Sequence, residues 1–147
     1  MAQVKSTATR TVEAPVEQVR QALADYVETR PKLLTPHFSE YEVRSGGAGA
    51  GTKVHWKLAA TSKRVRDCLI DVSAPGEGQL VESDANSSMV TTWTVRPAGA
   101  TSSTVSVETT WNGAGGIGGF FERTFAPAGL RKIYDDMLDK LDDVVRS

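Results

Sequence analysis

The closing stretch "TTWNGAGGIGGFFERTFAPAGLRKIYDDMLDKLDDVVRS", residues 109–147, holds the three features whose order decides the fold. Val105, Val107, Thr109 and Trp111 alternate with polar residues, so 101–111 reads as a strand with one buried face. Leu130, Ile133, Tyr134, Met137, Leu138, Leu141, Val144 and Val145 recur at three- and four-residue intervals, opposite Lys132, Asp135, Asp136, Asp139 and Asp142. That is the pattern of an amphipathic helix, the longest in the chain. Pro127 and Gly129 suit a helix start better than its interior, so 120–125 is expected to form a separate short turn. Between strand and helix lies "GAGGIGG", 113–119, which satisfies G-x-G-x-x-G. A dinucleotide fingerprint of this kind needs a second parallel strand and an acidic residue able to reach a ribose. Here the sequence ends with the helix, and Asp135 and Asp136 lie on its polar face. The glycines therefore read as a hinge between strand and helix.

Upstream, the pattern is one of short β-like runs at 38–44, 52–60, 63–72, 78–84, 88–96 and 101–111. "SGGAGAG", "APGEG", "DANS" and "RPAGA" separate them and leave no room for crossover helices, so an antiparallel meander is expected. Val54, Trp56 and Leu58 share one face, as do Met89, Thr91, Trp93 and Val95. "GGAGAGTK", 46–53, approaches a phosphate loop, but Lys53 follows Thr52 in the reversed order and a strand comes next. Without a helix N-terminus it lacks convergent amide donors, and it reads as a hairpin connection. At the other end of the chain 4–13 is a first strand, and Pro15 opens a helix carrying Val16, Val19, Leu23, Tyr26 and Val27 on one stripe. Pro31 and Pro36 then leave space for only a short helical turn at 32–35.

The 147 residues fit one domain, enough to bury roughly two thirds of the unfolded surface. A net charge of −1 gives no basic field to recommend nucleic acid. No run approaches the roughly 20 apolar residues of a membrane span, so no integral membrane association is expected. Cys68, the single cysteine, excludes an internal disulfide and a cysteine metal cluster. The N-terminal residues show neither a basic n-region nor an apolar h-region, and a cytoplasmic location is expected.

The order of strand, two short helices, six-strand meander and long helix resembles the helix-grip fold of the START-like, or SRPBCC, superfamily over essentially the whole chain. "VEAPVEQV" at 12–19, "SSMVTTWTV" at 87–95 and "TTWNGAGGIGGFFERTFAPAGLRKIYDDML" at 109–138 look like the actinobacterial polyketide cyclase/dehydrase-like branch. The resemblance implies an α+β protein, residues 1–147 forming a single domain, in which a curved seven-stranded antiparallel sheet wraps the C-terminal helix around a cavity for a small hydrophobic molecule. Carried onto this sequence, the cavity wall would comprise Leu130, Tyr134, Met137 and Leu138 from the helix, Phe121 and Phe125 near the entrance, and Tyr41, Trp56, Trp93 and Trp111 from the sheet. Ordinary core packing is the alternative for each of them taken singly.

Catalytic groups are sparse. His37 and His55 have no nearby carboxylate or cysteine in a metal or triad spacing, and both are expected at the surface. No cofactor and no metal is called for. In "KRVRDCLIDV", 63–72, an inward phase for Cys68, Ile70 and Val72 brings Arg66 to the same side. A buried guanidinium needs a partner, which Glu82, Asp84 or a ligand oxygen could supply; the opposite phase leaves Arg66 in solvent. An enzymatic reading would rest on Arg66 polarising a carbonyl and on Glu82, Tyr134 or Tyr41 moving a proton. The primary expectation is binding of a hydrophobic or amphipathic ligand, with a cyclase/dehydrase-type enzyme or a protein-interaction module as alternatives.

Overall fold

A computed structural model of the chain describes residues 3–61, 64–112 and 127–146. The expected short turn at 120–125, the glycine run at 113–119, Phe121 and Phe125 lie outside the described residues.

Strand β1 (Gln3–Val12) leads into two short helices, α1 (Val16–Ala24) and α2 (Arg30–Leu33). Six strands follow: β2 (Phe38–Ser45), β3 (Lys53–Thr61), β4 (Arg64–Ser73), β5 (Gln79–Asp84), β6 (Val90–Gly99) and β7 (Ser102–Asn112). Helix α3 (Pro127–Arg146) completes the described fold. The strands form one antiparallel sheet in the order β1-β7-β6-β5-β4-β3-β2. The meander thus turns back on β1, and the curved sheet grips α3.

Period-two alternation decides which side chains meet the helix. Val54, Trp56 and Leu58, then Cys68, Ile70 and Val72, then Thr91, Trp93 and Val95, are buried on the concave face together with Val105, Val107 and Trp111. The stripe of α3, Leu130, Ile133, Tyr134, Met137, Leu138 and Leu141, is buried against them. Polar ties fix the helix along the edge strand and against α1. Arg10 of β1 reaches both Asp139 and Asp142, the Glu13 backbone N–H donates to Asp142 Oδ1 at 3.2 Å, and Gln18 Nε2 donates to Val145 O at 2.7 Å.

Helix α1 ends at Ala24, short of the expected Tyr26, and Val27 is consequently 55% exposed rather than on the apolar stripe. Asp25 causes the break. Its carboxylate accepts from the backbone N–H groups of Val27 and Glu28 and from Thr29 Oγ1, and its carbonyl accepts from the Arg30 N–H. Those bonds hold the Asp25 carboxyl below its ordinary pKa, the Glu28 N–H contributing most. They also start α2 two residues earlier than the prolines suggested, at Arg30.

The glycine run before β3 docks on this break. Tyr26 N–H donates to Gly47 O at 3.0 Å and Gly49 N–H donates to Ala24 O at 2.8 Å, so loop amides serve the chain's own backbone. At Gly46, with φ of +71°, a Cβ would fall 2.8 Å from the Thr52 Cα, which excludes any other residue without a backbone shift.

Candidate ligand site

Strands β2 to β6 and helix α3 face one another across a narrow cleft. Its apolar wall includes Leu58, Ile70, Met89 and Met137. Aromatic rings make one end. Tyr41 stacks on Trp56 with ring centroids 6.1 Å apart and planes 5° from parallel, and Phe38 meets Trp56 edge-on at 5.9 Å. A water centre can occupy about 20 Å³ of the cleft, roughly the room one water needs.

Two polar clusters interrupt this wall. The first is charged and lies deep. Arg30 and Glu82 are 2% and 3% exposed, and Arg30 Nη2 donates to Glu82 Oε2 at 2.6 Å. Tyr26 O–H donates to the same oxygen at 2.6 Å, and Trp93 Nε1–H donates to Oε1 at 3.1 Å. Arg30 Nη1 donates to Leu23 O, and the guanidinium carbon lies 4.6 Å and 5.0 Å from the ring centroids of Tyr26 and Trp93. Burial is the largest single influence and would depress the Arg30 pKa, but the charge and hydrogen bond of Glu82, together with the neighbouring tyrosines, make the net direction upward. Tyr26 is pushed up by burial and by the negative charge of Glu82.

The second cluster is neutral. Tyr134 Oη lies 2.5 Å from Thr109 Oγ1 and 3.3 Å from Thr91 Oγ1, while the two threonine hydroxyls are 2.8 Å apart. Three hydroxyls in a triangle can each donate to the next and keep an acceptor position spare. Burial raises the Tyr134 phenol to about 12 and Tyr41 likewise to about 12. Tyr41 O–H donates to the Tyr26 carbonyl at 2.5 Å, linking the aromatic end of the cleft to the turn that carries Arg30.

Of the residues expected to form the site, Tyr41, Trp56, Trp93, Glu82, Tyr134 and Met137 line this cleft. Trp111, Leu130 and Leu138 are buried in the surrounding core. Arg66 takes the inward phase of β4, paired with Leu58 and two residues from Cys68, and remains half-buried. Its two expected partners are engaged by other groups. Glu82 holds Arg30, whereas Asp84 accepts from the N–H groups of Leu69 and Asn86 and from Ser87 Oγ, fixing the β5–β6 turn. Cys68 is buried and its thiol is raised to about 12 by desolvation. His37 is half-buried beside Thr35, and its Nδ1 lies 2.9 Å from Thr35 Oγ1. His55 is not the surface residue expected: it is 9% exposed, with Nδ1 on the Glu40 carbonyl and Nε2 at 2.5 Å from Asp67 Oδ1. Among the described residues, no group of three or more His, Cys, Asp and Glu is placed to hold a metal ion.

Arg30 is the functional candidate that sequence reasoning missed. Its signal was present: Val19, Leu23, Tyr26, Arg30 and Leu33 follow one another at spacings of four, three, four and three, so the arginine occupies an apolar-stripe position. A second groove lies beyond Trp93, between α1 and β5–β6, open to a water centre over about 220 Å³. Arg20 on its rim is already engaged by Val95 O, Glu17 and Glu77.

Comparison with solved structures supports the architecture. The chain is 49% identical to the KanY protein, known from an NMR solution structure, with a TM-score of 0.89 and all of both chains covered. A protein from Thermus thermophilus is 20% identical, with a TM-score of 0.74 and 97% of each chain covered. Norcoclaurine synthase from Thalictrum flavum, solved with dopamine and hydroxybenzaldehyde, is 15% identical at a TM-score of 0.71, over 98% of this chain and 87% of that one. The last two share the fold alone. No curated protein matches in sequence. Residues 3–146 match the family model described as polyketide cyclase/dehydrase and lipid transport, and the chain belongs to that family.

Proposed function

We propose that this protein binds a small hydrophobic or amphipathic molecule between the concave face of its sheet and α3. The observation that carries the reading is the composition of the cleft wall: stacked aromatic rings and apolar side chains, interrupted by two polar clusters that are already hydrogen-bonded. Pockets for small apolar ligands combine these features. The cleft as described has room for about a water, so a ligand enters by displacing wall side chains. Leu34 and Phe38 are only half-buried and, unlike the hydrogen-bonded Tyr41, are the parts of the wall freest to move. A ligand hydroxyl or carbonyl is met by Thr91 and Tyr134, the members of the triangle that line the cleft, whose hydroxyls can reorient with Thr109 behind them. The Arg30 and Glu82 pair is already committed to its own partners.

A second reading, as an enzyme of the cyclase/dehydrase type, draws on the same convergence of polar groups in an apolar cleft. Against it, Glu82 already accepts from Arg30, Tyr26 and Trp93, so both its oxygens are engaged within the chain, and Tyr134 holds its proton to about 12, far from neutrality. Binding without turnover is therefore the preferred function. No described helix is long and apolar enough to cross a membrane. A free, buried Cys68 accords with the reducing cytoplasm as the place of action.

Native mass spectrometry of protein purified without detergent tests the reading. A bound small apolar species in the wild type, absent from Met137→Trp, is the expected result. If both give the bare chain mass, and neither takes up added 2-naphthol, the binding reading is wrong.

A further inference from the structure

Strand β2 carries an irregularity that decides what reaches the cleft. Phe38 and Ser39 pair with Leu58 and Lys57, while Glu42 and Val43 pair with His55 and Val54, so Glu40 and Tyr41 together stand opposite Trp56. This is a β-bulge, and it changes the side-chain phase. In an unbroken strand, Phe38 and Tyr41, three residues apart, would point to opposite faces. With the bulge both turn inward onto Trp56. The extra residue is Glu40, at φ of +53°, a left-handed conformation that a non-glycine residue adopts only under constraint.

The constraint comes from the opposite, convex face. His55 Nδ1 is 3.1 Å from the Glu40 carbonyl, which can only accept, so this nitrogen donates to it. The other ring nitrogen sits at 2.5 Å from Asp67 Oδ1 on β4, and Lys57 Nζ lies 2.9 Å from the Glu40 carboxylate. The bulged residue is thus held by its carbonyl and by its side chain, from two positions of β3, one of which is itself anchored to β4.

We propose that His55 is a positioning residue for the ligand site: from the outer face of the sheet it holds the Glu40 bulge, and the bulge aims Tyr41 at Trp56. The proposal deepens the ligand-binding reading above, since Tyr41 and Trp56 form the aromatic end of that cleft. Its first readout nevertheless requires no ligand. A side chain that only stabilised the sheet would lower the unfolding midpoint and leave the rings of the folded protein stacked. A positioning residue alters the stack in the folded protein.

The test follows the ring-current shifts of the Tyr41 and Trp56 protons by NMR in folded protein. His55→Ala is expected to lose most of the mutual shift, and His55→Gln, whose amide can still donate to the Glu40 carbonyl, to regain it. Glu40→Gly supplies an independent arm, because glycine adopts the left-handed conformation without strain. In Glu40→Gly/His55→Ala the stack is expected to persist, also where His55→Ala alone does not fold. An unchanged stack in folded His55→Ala, or loss of the stack or of folding in the double variant, overturns the proposal. The 2-naphthol titration is then repeated on His55→Ala. Weakened binding alongside the lost stack supports the link to the ligand site. A lost stack with unaltered binding retains the bulge device and removes its role in ligand binding, and no binding to wild type overturns the ligand reading alone.

Discussion

The two polar clusters in the cleft wall solve the same problem, polar groups inside an apolar interior, in opposite ways. Arg30 and Glu82 carry full charges, 52 residues apart in sequence, and every strong contact they make is to the chain itself. Thr91, Thr109 and Tyr134 are neutral, and each hydroxyl can swap partners by rotating. Breaking a buried ion pair is strongly destabilising because the survivor is left charged and unpaired. A hydroxyl triangle that loses one member still has a bonded pair. The first cluster is suited to holding α2 against the sheet and the second to exchanging hydrogen bonds with a visitor.

Removing one charge should produce the largest effect. Glu82→Ala strands Arg30 and deprives Tyr26 and Trp93 of their acceptor, and should cost about 3–5 kcal/mol in denaturant unfolding. The double replacement Arg30→Met/Glu82→Leu should recover part of that loss but not all, since an unsatisfied buried donor still costs about 1–3 kcal/mol. A cost below about 1 kcal/mol for Glu82→Ala would erase the contrast between the clusters.

Alkaline titration comes next, and it addresses both clusters at once. The chain has three tyrosines, Tyr26, Tyr41 and Tyr134, and burial raises the pKa of each. An acid whose folded pKa is raised favours folding fully below its unfolded value, near 10, and loses that contribution as pH climbs towards the folded one. Stability should therefore fall from about pH 10 upward, towards the pKa of about 12 for Tyr41 and Tyr134. Tyrosinate absorbance in the folded protein should stay low through pH 10; ordinary titration there would mean that the phenols are in water.

Tyr134→Phe is the milder counterpart of Glu82→Ala. It should cost about 1 kcal/mol, because Thr91 and Thr109 keep their own bond. A loss as large as that of Glu82→Ala would show that the triangle is as rigid as the ion pair. Smallest of all, Cys68 should resist alkylation at pH 8 in folded protein and react fully once unfolded, with no change in stability when replaced by alanine beyond the loss of one small buried side chain.

The contrast also marks what could be read in advance. Regular alternation made the inward set Val54, Trp56, Leu58 and Thr91, Trp93, Val95 legible, whereas Glu82 was noted as a candidate partner for Arg66 and holds Arg30 instead. Tyr134 followed from helical periodicity. Arg30 was hidden because a charged residue beside Pro31 looks like the end of a helix, and only a partner 52 positions away makes its burial tolerable. His55 was placed on the correct outer face, yet its burial depends on the Glu40 carbonyl and on Asp67 of the next strand. A bulge breaks the periodicity from which local patterns are read, so Tyr41 came only from the family resemblance and its inward aim is set by non-local pairing.

If the cleft is a ligand site, the wall joining these clusters receives the hydrophobic molecule. The most direct test is a titration of isotopically labelled protein with neutral 2-naphthol, following the Met137 methyl, the Trp56 and Trp93 indoles and the Tyr134 ring by NMR. Saturable shifts are expected to concentrate at those four residues, with the Arg30 guanidinium signal nearly unmoved and the whole response abolished by Met137→Trp. Shifts confined to the groove around Arg20 and Leu80, or a response that survives Met137→Trp unchanged, would contradict this reading.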